Sequence, residues 1–214
     1  EMVETENTGS TSITFLLANL EDDDPELVKA AIYALSNSLD DDEISMLFPI
    51  VSGDYHIEVQ KVALYAIGNH ETDEVKEFLM GVALTHQRVE LAKAATYALS
   101  NALEEDEVGP LLRILEDAGS VEVRKAALYQ IGNASSDGAV EALVSILDTE
   151  TDVELQKAAV YALANTGQES AVSALIRIMG SNAPTEIRKA AVHSLGNIDS
   201  EVARRALLDI ISNR

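Results

Sequence analysis

The sequence contains no cysteine and no tryptophan, and only 15 of its 214 residues are lysine or arginine, against 37 aspartate or glutamate. The absence of cysteine excludes disulfides, thiolate metal ligands and cysteine nucleophiles. It also means that cysteine usage gives no indication of the redox compartment. The formal net charge of −22 disfavours nucleic acid and anionic membrane surfaces, which both attract basic proteins. No apolar run approaches the roughly 18 residues of a membrane span. We therefore expect no nucleic-acid partner and no membrane partner.

A repeat of 32 residues organises the chain. Segments such as ELVKAAIYALSN and EIRKAAVHSLGN recur with a lysine at the fourth position. In the third repeat the apolar residues Leu91, Ala95, Ala98 and Leu99 fall on one face of a helix. The repeated lysines, 32 residues apart, are Lys29, Lys61, Lys93, Lys125, Lys157 and Lys189. Leucines keep the same spacing in a second apolar segment: Leu47, Leu79, Leu111, Leu143, Leu175 and Leu207.

This pattern predicts two helices per repeat, which bury their apolar faces by stacking on their neighbours. Six repeats cover residues 24–214. Residues 11–20 are predicted to form a lone second helix, a half-repeat that caps the N-terminal end. Residues 1–10 are predicted to be a disordered tail or linker. The predicted fold is an all-α, right-handed α-solenoid forming one domain over residues 11–214. The acidic loops at 40–43 and 104–107 are expected to cap the second helices rather than bind calcium, since they lack the central glycine of a calcium loop.

Lysine, tyrosine and asparagine recur on every first helix at i, i+4 and i+8. This spacing places all three within about 80° of arc on one helical face, away from the core. The residue before each lysine varies, whereas this set changes only at His193, and it contains six of the seven lysines in the chain. We call this surface the Lys/Tyr/Asn stripe: Lys29, Tyr33, Asn37; Lys61, Tyr65, Asn69; Lys93, Tyr97, Asn101; Lys125, Tyr129, Asn133; Lys157, Tyr161, Asn165; and Lys189, His193, Asn197.

The stripe has a structural and a functional interpretation. A glutamate three residues before each lysine can form an ion pair worth about 0.2–0.5 kcal/mol. The tyrosines can pack on one another, and the asparagines can cap helix ends or adopt a left-handed conformation. As a binding surface, the asparagines would pair with a peptide backbone, of which about three residues pass each repeat. The predicted partner site comprises Lys61, Tyr65, Asn69, Lys93, Tyr97, Asn101, Lys125, Tyr129, Asn133, Lys157, Tyr161 and Asn165.

Residues 186–198 (EIRKAAVHSLGNI) and the acidic-proline start at Asp24 and Pro25 resemble HEAT-like repeats, in particular the short type named after phycobilisome lyases. The resemblance runs from Asp24 to Arg214. It implies an α-solenoid whose first helices line the concave face. Armadillo solenoids, which are related to this family, hold extended peptides on an asparagine ladder.

We therefore predict a non-enzymatic scaffold that binds a protein or extended peptide, with no cofactor, no metal and no catalytic residue. We expect a monomer, with end-to-end association as an alternative. A bilin-lyase-type subunit or enzyme accessory is the second interpretation, because the repeat type matches. The third is a structural repeat module of a larger chain. Deoxyhypusine hydroxylase, another HEAT-like enzyme, holds two irons on repeated His-Glu pairs, but this sequence has only His70-Glu71.

Overall fold

The computed structural model describes residues 25–104 and 106–212, without the side chains of residues 210 and 211. This part of the chain forms twelve α-helices and one 3-10 helix, with no strand. The predicted half-repeat at 11–20 and tail at 1–10 lie outside it. The α-helices are α1 (Pro25–Ser36), α2 (Phe48–Ser52), α3 (Ile57–Ile67), α4 (Asp73–Thr85), α5 (Val89–Ala102), α6 (Gly109–Asp117), α7 (Val121–Asn133), α8 (Asp137–Thr149), α9 (Val153–Asn165), α10 (Glu169–Met179), α11 (Thr185–Asn197) and α12 (Glu201–Ser212).

The chain divides into two compact units, Glu1–Ala102 and Leu103–Arg214. Odd-numbered helices are the first helices of successive repeats. In the first unit α1 packs on α3 and α3 on α5, and in the second unit α7 packs on α9 and α9 on α11. Second helices pack on the first helix of the following repeat, as α4 does on α5 and α10 on α11. This stacking is that of an α-solenoid, so the predicted fold class is confirmed.

The core consists of the apolar positions that the repeat predicted. Leu91, Ala95, Ala98 and Leu99 are all 0% exposed. A fully buried leucine contributes about 1.5–3 kcal/mol, and the alanines bring neighbouring helices close. The second-helix leucines are buried in five repeats, whereas Leu207 in α12 is half-buried.

Successive first helices meet through two opposite flanks. A Cβ built on Gly68 would lie 2.4 Å from the carbonyl oxygen of Ala98, and one on Gly132 would lie 2.5 Å from that of Ala162. Glycine is therefore required at both positions. We call the side that meets the next repeat, with residues three and seven after the stripe lysine, the forward flank. The rear flank meets the preceding repeat and carries the residues two before, one after and five after that lysine.

Polar side chains begin several helices. The Thr72 hydroxyl accepts a hydrogen bond from the Val75 N–H at 3.3 Å at the start of α4, and the Asp152 carboxylate accepts one from the Glu154 N–H at 2.8 Å at the start of α9. A glutamate in the first turn of each first helix complements the helix dipole.

Within the described residues, the acidic loops do not supply the side-chain caps of the second helices that the sequence predicts. Glu43 makes no capping bond, and its carboxylate instead accepts a hydrogen bond from the Asp40 N–H at 3.4 Å. The Glu107 carboxylate accepts from the Glu104 N–H in the same way. In both loops the glutamate carboxylate is thus hydrogen-bonded to the N–H three residues earlier.

The second helix of repeat one is interrupted. It consists of the 3-10 helix Ile44–Leu47 followed by the short α2, whose first turn contains Pro49. Proline fits a first turn because the N–H it lacks has no intrahelical partner there. The Phe48 ring then stacks on Phe78 of α4, with ring centroids 3.8 Å apart. Across the described ranges, no helix is both long and apolar enough to cross a membrane.

Candidate functional site

The Lys/Tyr/Asn stripe lies along the first helices of each compact unit, three sets in each. Its lysine side chains are 22–30% exposed at Lys29, Lys61, Lys125 and Lys157. All six asparagines are exposed, and the tyrosines of repeats two to five are partly exposed. The stripe side chains thus form one polar face on each first helix.

The stripe lysines form ion pairs with glutamates three residues earlier, as the sequence predicted. Lys93 forms no such pair within the described residues. The Nζ–Oε1 distances are 2.5 Å for Lys29–Glu26, 2.9 Å for Lys61–Glu58, 3.4 Å for Lys125–Glu122, 3.1 Å for Lys157–Glu154 and 3.2 Å for Lys189–Glu186.

Three of these glutamates also interact with the lysine of the preceding repeat, which the sequence pattern alone did not predict. Glu154 lies 3.1 Å from Lys157 Nζ and 3.7 Å from Lys125 Nζ, so it joins two first helices. Glu58 likewise attracts Lys29, and Glu186 attracts Lys157. The glutamate recurs at a fixed distance before the lysine in every repeat. This pattern could have predicted the contacts between repeats, because stacking brings a glutamate beside the lysine of the preceding repeat.

This ladder shifts the pKa of its members. Hydrogen bonds to Glu26, Glu58 and Glu154 raise the pKa of Lys29, Lys61 and Lys157 above the ordinary value. The reciprocal bonds lower the pKa of Glu58 and Glu154. Charges of both signs therefore alternate along the stripe, and we expect it to discriminate weakly between acidic and basic ligands.

The tyrosines do not form a ladder of stacked rings. Phe48 and Phe78 are the one aromatic pair in ring contact within the part of the chain that the structure describes. Tyr65 lies in the field of Tyr33 and Tyr97, and partial burial raises its pKa above the ordinary value. The tyrosine rings consequently retain free area toward solvent.

The asparagines are not engaged as helix caps. Among the described non-glycine residues only Ser135 has a positive φ, of 50°, so none of the six adopts the left-handed conformation. Asn133 donates to the Gln130 side chain at 3.4 Å, and Asn197 contacts His193. No side-chain hydrogen bond is formed within the described residues by Asn37, Asn69, Asn101 and Asn165.

The His70-Glu71 pair directly follows the stripe residue Asn69. His70 Nδ1 is 2.7 Å from a carboxylate oxygen of Asp41, in the loop after α1. Within the described ranges, no three histidine, aspartate or glutamate side chains are grouped so that they could hold a metal ion.

No curated protein matches the sequence. Solved structures with similar folds include human deoxyhypusine hydroxylase in complex with glycerol, with 21% identity, 92% of this chain and 77% of that chain covered, and a TM-score of 0.41. A designed armadillo repeat protein shares 24% identity over 91% of this chain and 99% of its own, with a TM-score of 0.40. The complex of CpcE and CpcF of phycocyanin lyase from Nostoc shares 16%, covering 99% and 98%, with a TM-score of 0.39.

The family model for HEAT repeats matches residues 108–196 and 140–214. The two matches together span residues 108–214, which is half of the 214-residue chain. The matched part contains α7, α9 and α11, whose stacking was described above. The protein therefore belongs to the HEAT repeat family.

Proposed function

We propose that the protein is a non-enzymatic scaffold that binds an extended segment of a partner protein on the Lys/Tyr/Asn stripe. The observation that carries this proposal is the row of exposed asparagine amides, one per repeat. Four of them make no side-chain hydrogen bond within the described residues. A repeated amide with no structural task is well suited to a ligand.

The chemistry of the stripe fits a peptide backbone. A primary amide donates and accepts at once, as a peptide group does. Helices about 8–10 Å apart and an extended chain advancing about 3.3 Å per residue give about three ligand residues per repeat. Three repeats in one compact unit would thus hold about nine residues. The neighbouring tyrosines supply apolar area with a polar tip.

The mixed charge of the lysine–glutamate ladder points to the ligand backbone rather than to its charged side chains. Lys125 lies within 4 Å of both Glu122 and Glu154, at 3.4 and 3.7 Å, so its charge is largely compensated. Binding is therefore expected to depend only slightly on salt concentration, since few ions are released.

Selection from a displayed library of random linear peptides tests the proposal. The wild-type chain should enrich peptides that bind in an extended conformation. In the Asn69→Ala/Asn101→Ala variant, affinity for the selected peptides should fall about tenfold or more, since each lost hydrogen bond is worth about 1 kcal/mol. The matched control is Asn182→Ala, an exposed asparagine outside the stripe.

Equal affinity of wild type and the double variant would contradict the proposal, provided that circular dichroism shows the same helical content. A loss of binding in Asn182→Ala would do so as well, because that side chain lies in the loop between α10 and α11.

A further inference from the structure

The forward flank of α11 is exposed, although the equivalent flank is buried or half-buried in the other repeats. Val192, three residues after its stripe lysine, is 38% exposed. No atom lies within 4 Å of a Cβ built on Gly196, which is equivalent to Gly68 and Gly132. An open depression of about 700 Å³, lined in part by Met179 and Val192, adjoins this flank. The residues equivalent to Val192 are 0% exposed: Ile32, Leu64, Thr96, Leu128 and Val160.

The rear flank of α1 is exposed in the same manner. Leu27 is 57% exposed, and Ala30 and Ala34 on the same flank are also exposed. The residues equivalent to Leu27 are no more than 3% exposed: Val59, Leu91, Val123, Leu155 and Ile187. Side chains at positions that are buried on the other first helices are thus uncovered on these two helices.

The residues on these two flanks are of the kinds that meet where successive first helices pack within the chain. At the joints from repeat two to three and from four to five, a glycine on the forward flank meets an alanine on the rear flank. Repeat six carries Gly196 on its forward flank, and repeat one carries Ala34 on its rear flank. A contact from repeat six to repeat one would therefore repeat the glycine–alanine joint.

The charges match as well. Lys189 is 68% exposed, whereas Lys125 is 23% exposed and lies 3.7 Å from Glu154 of the next repeat. Glu26 of repeat one holds the position equivalent to Glu154. A second copy of the chain would thus bring a carboxylate to Lys189.

We propose that the chain associates head to tail, with the forward flank of α11 in one copy docking on the rear flank of α1 in a second copy. The contact continues the stack of first helices across two molecules. Because it uses a different surface on each copy, it leads to open chains or rings rather than to a closed symmetric dimer.

Sedimentation velocity over a wide range of concentrations tests this contact. The wild-type sedimentation coefficient should rise with concentration. Val192→Glu and Leu27→Glu should each sediment as a monomer at the concentration where wild type is at least half associated. A mixture of the two variants should form a one-to-one dimer and nothing larger, because α1 of the first variant and α11 of the second remain intact. The matched control is Val153→Glu, since Val153 is 39% exposed on α9, and it should associate as wild type does.

Gly196→Ala provides a second test that does not introduce charge. Its Cβ should block the approach of Ala34 and reduce association, while Gly81→Ala, also open around its Cβ, should leave it unchanged. A wild-type chain that is monomeric at every concentration overturns the proposal. So does wild-type association in Leu27→Glu, since the contact would then not involve α1, or loss of association in Val153→Glu.

Discussion

One buried hydroxyl stands out at the scale of single residues. Ser194 is 2% exposed, and its Oγ has no hydrogen-bond partner. The rear-flank position that it occupies is held by alanine in other repeats, as at Ala66, Ala98 and Ala162. A buried polar atom without a partner costs about 1–3 kcal/mol relative to its solvated state.

Replacing this serine should stabilise the protein. We expect Ser194→Ala to raise the free energy of unfolding by about 1 kcal/mol, because it removes an unsatisfied oxygen and adds helix propensity. Urea unfolding followed by circular dichroism measures the change. Ser36→Ala is the control: this hydroxyl donates to the Tyr33 carbonyl, so its loss should not stabilise the protein. An unchanged or lowered stability of Ser194→Ala would show that the hydroxyl is satisfied in solution.

At the scale of elements, the joints between first helices depend on the size of single residues. Gly132 and Gly81 are both helical glycines, but only Gly132 lies against a neighbouring helix. The backbone of α9 approaches α7 so closely at Ala162 that no side-chain carbon fits between them. In α4 the space around Gly81 is open.

The same substitution should therefore have opposite effects at these two sites. Gly132→Ala should lower the free energy of unfolding by about 1–3 kcal/mol through overpacking. Gly81→Ala should raise it by about 0.5–1 kcal/mol, since alanine loses less backbone entropy in a helix. The midpoints of denaturant unfolding compare the two variants, provided that the free energy of unfolding depends equally on denaturant concentration in both. If both substitutions raised the free energy of unfolding, α7 and α9 would be able to move apart without loss of stability.

The helices could be predicted from the sequence because their apolar period repeats six times, as the burial of Leu91 and Leu99 shows. The interruption at Pro49 and the hydrogen bonds within the acidic loops could not be predicted, since both depend on local backbone geometry. The stripe residues were visible as a pattern, but the second lysine facing Glu154 depends on the distance between helices. The residue seven after the stripe lysine also alternates in the sequence: it is serine or alanine in repeats one, three and five and glycine in repeats two, four and six. At Gly68 and Gly132 the cause is the approach of the Ala98 and Ala162 carbonyls.

At the scale of the whole molecule, the net charge of −22 and the lysine–glutamate ladder respond to acid in opposite directions. Protonation relieves the repulsion among carboxylates. The ladder acts the other way, because the pKa of Glu58 and Glu154 is lowered in the folded chain. Its contribution is present above the unfolded pKa of about 4.3 and is lost as the pH falls through the folded values.

Carboxyl titration by NMR should find Glu58 and Glu154 ionising below the ordinary glutamate pKa. In Lys61→Gln the pKa of Glu58 should return toward that value, because its hydrogen-bond donor is removed. Glu154 should titrate unchanged in the same variant, since its lysines are Lys125 and Lys157, which gives an internal control. A Glu58 pKa that does not respond to Lys61→Gln would contradict the ladder.

The alternating glycine–alanine joints also bear on how a gene of this kind can lengthen or shorten. Loss of one 32-residue repeat, such as repeat three, would bring Gly68 to face Gln130 instead of Ala98. Loss of repeats three and four together would bring it to face Ala162, which already closes such a joint. In-frame duplications and deletions that preserve folding should thus come in steps of two repeats.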